Sequence, residues 1–182
     1  MRSTRYTTVR GMVDKRIAVV ALSLSAAGFV GILNRESYTE VAVIPVKGDV
    51  PTVGFGMTHR EDGSPVRMGD RTTPVQAIQR TLAYTQKADA AIKKCVTAPL
   101  YPVEYDLMHD FGYQYGTGTL CKSSVVRFAN EGEYVKSCES YLLYKFAAGY
   151  DCSTLVDGQP NKRCWGVWER QLNRYKKCME VQ

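Results

Sequence analysis

Residues 36–58 read ESYTEVAVIPVKGDVPTVGFGMT, and this stretch decides the architecture. From Val41 the chain is rich in Val, Ile and Thr, is broken by Pro45 and Lys47-Gly48-Asp49, and then resumes to Gly56. β-branched residues favour strands and Gly-Asp steps favour tight turns, so the pattern predicts a strand, a turn and a second strand. Gly54, Gly56 and Glu61-Asp62-Gly63-Ser64-Pro65 mark further turns, giving a small two- or three-stranded sheet. One carboxylate, Glu36, stands directly ahead of it.

Downstream the period changes from two to that of a helix. Thr72 or Thr73 caps a helix with Pro74 in its first turn, and Val75, Ile78, Leu82 and Ile92 are expected on its buried face. Pro102 opens another, with Leu107, Met108 and Phe111 inward. Ser123 or Ser124 starts a short helix that stops at Gly132. Residues 133–147 predict a helix burying Tyr134, Cys138, Tyr141, Leu142 and Phe146. The last helix carries a core stripe of Trp165, Trp168, Leu172, Tyr175 and Met179. A small sheet followed by a helical lobe is an α+β arrangement.

Upstream lies IAVVALSLSAAGFVGIL, residues 17–33, with no charge in seventeen positions. As a helix it would reach roughly 25 Å, short of the roughly 30 Å hydrocarbon core. Eight positions are Ala, Ser or Gly, so insertion into a bilayer is marginal. Arg2, Arg5, Arg10, Lys15 and Arg16 precede it against the single acid Asp14, which keeps this end cytoplasmic and exports the rest. Met12 is an alternative start that retains Lys15 and Arg16. Small residues at Ser23-Leu24-Ser25 or Ser25-Ala26-Ala27 suit a cleaved signal peptide. A permanent anchor fits the length and composition poorly, and a buried core helix is the bland alternative. An uncleaved signal that later leaves the bilayer fits the weak hydrophobicity best.

The net charge of +6 invites a nucleic-acid reading, but the basic tail supplies +4 of it. The other 19 bases face 17 acids, so the charge is a topology signal and no nucleic-acid partner is expected. Six cysteines, none in a C-x-x-C pair, and only His59 and His109 leave a zinc site without its usual ligands. An even cysteine count in an exported chain reads as disulfides in an oxidising compartment. Cys152 and Cys164 bracket the turn-rich STLVDGQPNKR and form the expected pair, with Cys121–Cys138 and Cys95–Cys178 completing the set. Residues 1–33 read as the targeting segment and 34–182 as one domain, with no repeat or linker. His109 is expected to pack rather than react.

From Glu36 to about Cys178 the sequence resembles the phage-type lysozymes. In that family a Glu ending the first helix precedes a hairpin, a Thr and a Gly-aromatic-Gly turn; here these are Glu36 and Thr52-Val53-Gly54-Phe55-Gly56-Met57-Thr58. Tyr113-Gln114-Tyr115-Gly116 with Ser123-Ser124-Val125 looks like the family's helix pair at the base of the cleft. Trp168-Glu169-Arg170-Gln171 looks like its Arg-rich C-terminal helix. The resemblance implies a lysozyme-like α+β fold, a peptidoglycan substrate, cleavage of the N-acetylmuramic acid to N-acetylglucosamine bond, no cofactor, and a monomer. The N-terminus resembles the signal-anchor-release element of some endolysins. That implies an inactive form held at the inner membrane through residues 17–33, then an active periplasmic one. The segment holds no cysteine, so refolding rather than thiol exchange is the expected trigger.

Glycosidic cleavage needs an acid that protonates the leaving oxygen, and a Glu in a partly apolar site keeps its proton near neutral pH. Glu36 is the expected acid. Thr52 is expected to hold the attacking water through its hydroxyl. The family spaces Glu, eight residues, Asp or Cys, five residues, Thr. Counting from Glu36 lands on Pro45, and counting back from Thr52 lands on Val46, neither of which ionises. Asp49 is the nearest carboxylate and Glu40 the other; Asp49 either assists water as a second carboxylate or only holds its turn. Without a second carboxylate, Glu36 alone serves as acid then base and the sugar's C6 hydroxyl attacks, which is lytic transglycosylase chemistry. The rival classes are a non-catalytic wall-binding module and a membrane structural protein.

Overall fold

The structure is a computed structural model that describes residues 15–45 and 48–182. The bases Arg2, Arg5 and Arg10, the acid Asp14, the start at Met12, and Val46 and Lys47 of the hairpin lie outside the described residues.

The hairpin forms as its sequence dictates. Strand β1 (Thr39–Val43) pairs antiparallel with β2 (Thr52–Gly54), with Thr39 opposite Gly54 and Val43 opposite Thr52. Val53 turns inward and packs with Ala42 and Val66 in a small core of its own. Helix α2 (Pro74–Cys95) then leads to the helical lobe, capped by Thr73, whose hydroxyl accepts from the Gln76 N–H while the Gln76 side chain accepts from the Thr73 N–H.

The buried face of α2 departs from the expected one. Val75, Ile78 and Leu82 are exposed, while Ala77, Thr81, Thr85 and Ile92 are buried. Close approach of the sheet explains the choice. A Cβ on Gly54 would stand 2.9 Å from the Ala77 Cβ, so only a small side chain fits the contact.

The helical lobe comprises α3 (Pro102–Tyr115), α4 (Thr117–Lys122), α5 (Ser124–Asn130), α6 (Tyr134–Ser140) and α7 (Trp165–Met179). Leu107, Met108 and Phe111 are buried as expected, and Ser123 caps α5. The helix expected over 133–147 stops at Ser140, and Tyr141–Leu143 form a 3-10 turn. A hairpin takes over: β3 (Phe146–Ala147) pairs with β4 (Tyr150–Asp151) around Ala148 and Gly149, both at positive φ. Phe146 is therefore exposed, not core. A second small hairpin, β5 (Leu155–Val156) with β6 (Gln159–Pro160), fills the excursion closed by Cys152–Cys164.

That disulfide was expected; the other two pairings are corrected. Cys95 joins Cys121 and Cys138 joins Cys178. Helix neighbours decide this, since the end of α2 lies beside α4, and α6 packs along α7.

The apolar segment is not one helix. Ile17 pairs with Leu100 through two backbone hydrogen bonds of 2.8 and 2.9 Å, and Val19–Ala21 form a 3-10 turn. Helix α1 (Ala26–Glu36) begins at the Ser25 cap and crosses the boundary expected after residue 33. Val19 and Leu22 join the main core with Phe111, Leu120 and Tyr141. No helix among the described residues is long and apolar enough to cross a membrane.

Candidate active site

Glu36 is the last residue of α1, and the chain leaves the helix through Ser37 at φ 50°. A non-glycine residue there is sterically costly, and such geometry is kept where surrounding contacts demand it. Tyr38 supplies one demand: its ring lies 5.5 Å from Phe55 and its hydroxyl donates to the Thr72 carbonyl at 2.8 Å. Tyr113 of α3 grips the other side of the glycine turn, donating to the Phe55 carbonyl at 2.5 Å, and its ring packs edge-on against Tyr84. The turn is thus clamped onto the end of α1. A Cβ on Gly56 would lie 2.9 Å from Glu36 Oε2, so glycine is what allows the approach.

The Glu36 side chain is 23 % exposed. Arg170 of α7 places Nη1 at 3.4 Å from Oε1 and donates from Nη2 to the Arg35 carbonyl at 3.1 Å. Burial pushes the Glu36 acid above its usual range; Arg170 opposes this, Asp110 adds to it, and Arg174 and Arg35 oppose it. Burial is the larger effect, so the site favours a protonated carboxyl. Burial also raises the Tyr113 phenol, and Glu36 adds to that rise.

Thr52 opens β2 and is half-buried. Asp49 is exposed in the hairpin turn, where its Oδ1 accepts from the Val50 N–H at 2.8 Å. Among the described residues no hydrogen bond or ion pair joins Asp49 or Thr52 to Glu36. Glu40 is exposed and paired with Arg71. His109 is buried, edge-on to Tyr105 and 3.2 Å from Asp89, a packing role. Glu104, Cys138 and Cys178 cluster tightly, but both sulfurs are in a disulfide and offer no thiolate to a metal.

Sequence reasoning singled out Glu36 and included Arg170 in a motif, but passed over Arg35, Asp110 and Arg174. Two arginines four apart on one helix face, at 170 and 174, were the available signal. The acidic partner of Arg174, Asp110, sits 64 residues upstream on α3, where no local pattern points to it.

A short sheet set against a helical lobe, with a half-buried Glu at the helix end beneath a glycine turn, defines a lysozyme-like protein. The phage lysozyme family model matches residues 33–164, and the chain belongs to that family. Membership makes it a peptidoglycan-degrading enzyme. The endolysin of Salmonella phage P22 is 27% identical over 131 residues, covering 72% of this chain and 89% of its own. The SAR-endolysin of Pseudomonas phage phiKMV is 25% identical over 169 residues, covering 92% and 93%. Among solved structures, the endolysin from Escherichia coli O157:H7 phage FAHEc1 superimposes with a TM-score of 0.71 at 25% identity, covering 89% of this chain and 96% of that one.

Proposed function

We propose that the protein is an exported endolysin that hydrolyses the β-1,4 bond between N-acetylmuramic acid and N-acetylglucosamine, with Glu36 as general acid. The observation that carries this reading is the carboxyl of Glu36, raised by burial and pressed against the Gly56 turn. A carboxylic acid that keeps its proton can deliver it to the leaving glycosidic oxygen. Thr52 orients the attacking water and Asp49 is the candidate second carboxylate. Glu36→Gln should abolish release of muropeptides from purified walls while the fold, read by circular dichroism, is kept. Full activity of that variant would overturn the reading.

One observation favours a second reading. Asp49 is exposed and engaged with its own turn, which leaves Glu36 to act as acid and then base. The product of this transglycosylase route is an anhydro sugar. Mass spectrometry of released muropeptides separates it from the reducing-end product of hydrolysis, and Asp49→Asn should slow only the hydrolase.

The proposed regulation is release from the inner membrane. The printed name of the phiKMV relative, a SAR-endolysin, supports it. So does the packing, because Val19, Leu22 and Ile32 cannot lie in lipid and in this core at once. The membrane form would therefore lack α1 in its place, and Glu36 with it, a two-state switch. Recovery of a periplasmic protein cleaved near Ala26 would replace this with an ordinary signal peptide.

A further inference from the structure

Glu36 is faced by charged and titratable groups from three elements. Arg35 adjoins it on α1, Asp110 and the Tyr113 phenol come from α3, and Arg170 and Arg174 come from α7. The glycine turn brings no charge. Arg170 touches the acid directly, but Arg174 does not. It is 1% exposed, and its Nε lies 2.6 Å from Asp110 Oδ2 while Nη2 donates to the Asp110 carbonyl at 3.2 Å. Arg35 pairs with the same carboxylate oxygen from the other side. Gln171 completes the network, accepting from Arg174 Nη1 at 3.0 Å and donating to the Tyr115 hydroxyl at 2.8 Å. Asp106 and Lys177 line the cavity that Asp110 and Arg35 share.

Desolvation offsets most of what a buried ion triad gains, so stability alone explains this arrangement poorly. We infer that Asp110 is a positioning residue for Glu36: it engages the guanidiniums of Arg35 and Arg174, which leaves Arg170 as the cation in direct contact with the acid. The inference rests on the reading of Glu36 as the acid and names a charge that adds to burial in favouring its protonated form. Arg35 and Arg174 each favour the charged form of Glu36, and Asp110 favours the neutral one. Removing the Asp110 charge leaves two uncompensated cations beside the carboxyl. Glu36 should then lose its proton at lower pH. Removing Arg35 should do the reverse.

The test is a ¹³C-carboxyl NMR titration of Glu36 in the full chain, for wild type, Asp110→Asn and Arg35→Gln. Asp110→Asn should lower the midpoint, and Arg35→Gln should raise it. The pH limb of wall lysis should follow the same order. A folded Asp110→Asn with an unmoved midpoint overturns the inference, because a merely structural residue lowers activity without moving the titration. Should Asp110→Asn fail to fold, an unmoved or lowered midpoint in Arg35→Gln overturns it instead. Wall lysis by Glu36→Gln would overturn the acid assignment, whereas the midpoints judge the role of Asp110 independently.

Discussion

The backbone of Gly56 approaches Glu36 so closely that a Cβ there would stand 2.9 Å from Oε2, at a φ of 73° that disfavours any side chain. Gly56→Ala therefore carries two penalties. The conformation alone costs roughly 1 kcal/mol, and the carboxyl must move aside. Misplacing a catalytic group by about 1 Å costs on the order of 100-fold in rate. Wall-lysis rate should fall far more than the melting temperature, and equal wild-type rates would show that the contact is incidental.

Activity should decline as pH rises through the Glu36 titration, since a general acid works only while protonated. Burial places that decline above the range of an ordinary carboxyl. Arg170 holds the value down, so Arg170→Met should carry the decline to higher pH. Initial lysis rates across the acid-to-neutral range provide the check, and a downward move would contradict the assigned sign.

Glycines 28 and 31 lie on the same helix and should behave oppositely. A Cβ on Gly28 would stand 2.7 Å from Asp106 Cγ, whereas one on Gly31 meets nothing within 4 Å. Leu at Gly28 should block folding of α1 against α3 and abolish lysis outright. Gly31→Leu, with Ser23→Leu, should leave the purified enzyme active yet delay lysis in cells, because a more apolar segment leaves the bilayer more slowly. Unchanged lysis timing with Gly31→Leu would count against membrane release.

Asp106 accepts from both the N–H of Ser25 at 2.8 Å and its hydroxyl at 2.5 Å, where α1 begins. Asp106→Ala should cost about 2 kcal/mol by leaving the partly buried Ser25 groups without their partner. Denaturant titration reads the loss directly.

Removing Cys138–Cys178, which closes a separation of 40 residues, should cost about 4 kcal/mol in the chain-entropy model. Removing Cys152–Cys164, with a separation of 12, should cost about 3 kcal/mol. Melting of the paired Cys→Ser variants ranks the two, and the order should reverse only if the excursion restrains more than its own loop.

Sequence by itself determined the elements whose causes are local. Pro45 and Gly48-Asp49 broke a β-prone run into a hairpin, the Thr72-Thr73 and Ser123-Ser124 pairs marked the starts of their helices, and the order of Glu36 and the glycine turn pointed to the family. Charge counting set the basic tail apart from the domain, yet Arg16 of that tail pairs with Glu104. Only the tertiary structure decided which face of α2 is buried, because the approach of Gly54 selects Ala77 over the larger Val75 and Ile78. Packing likewise chose the disulfide partners and placed Val19 and Leu22 of the apolar segment in the core. The ion network of Arg35, Asp110 and Arg174 was invisible for the same reason. Its members are far apart in the chain, and they meet, with water largely excluded, only once the helices have packed.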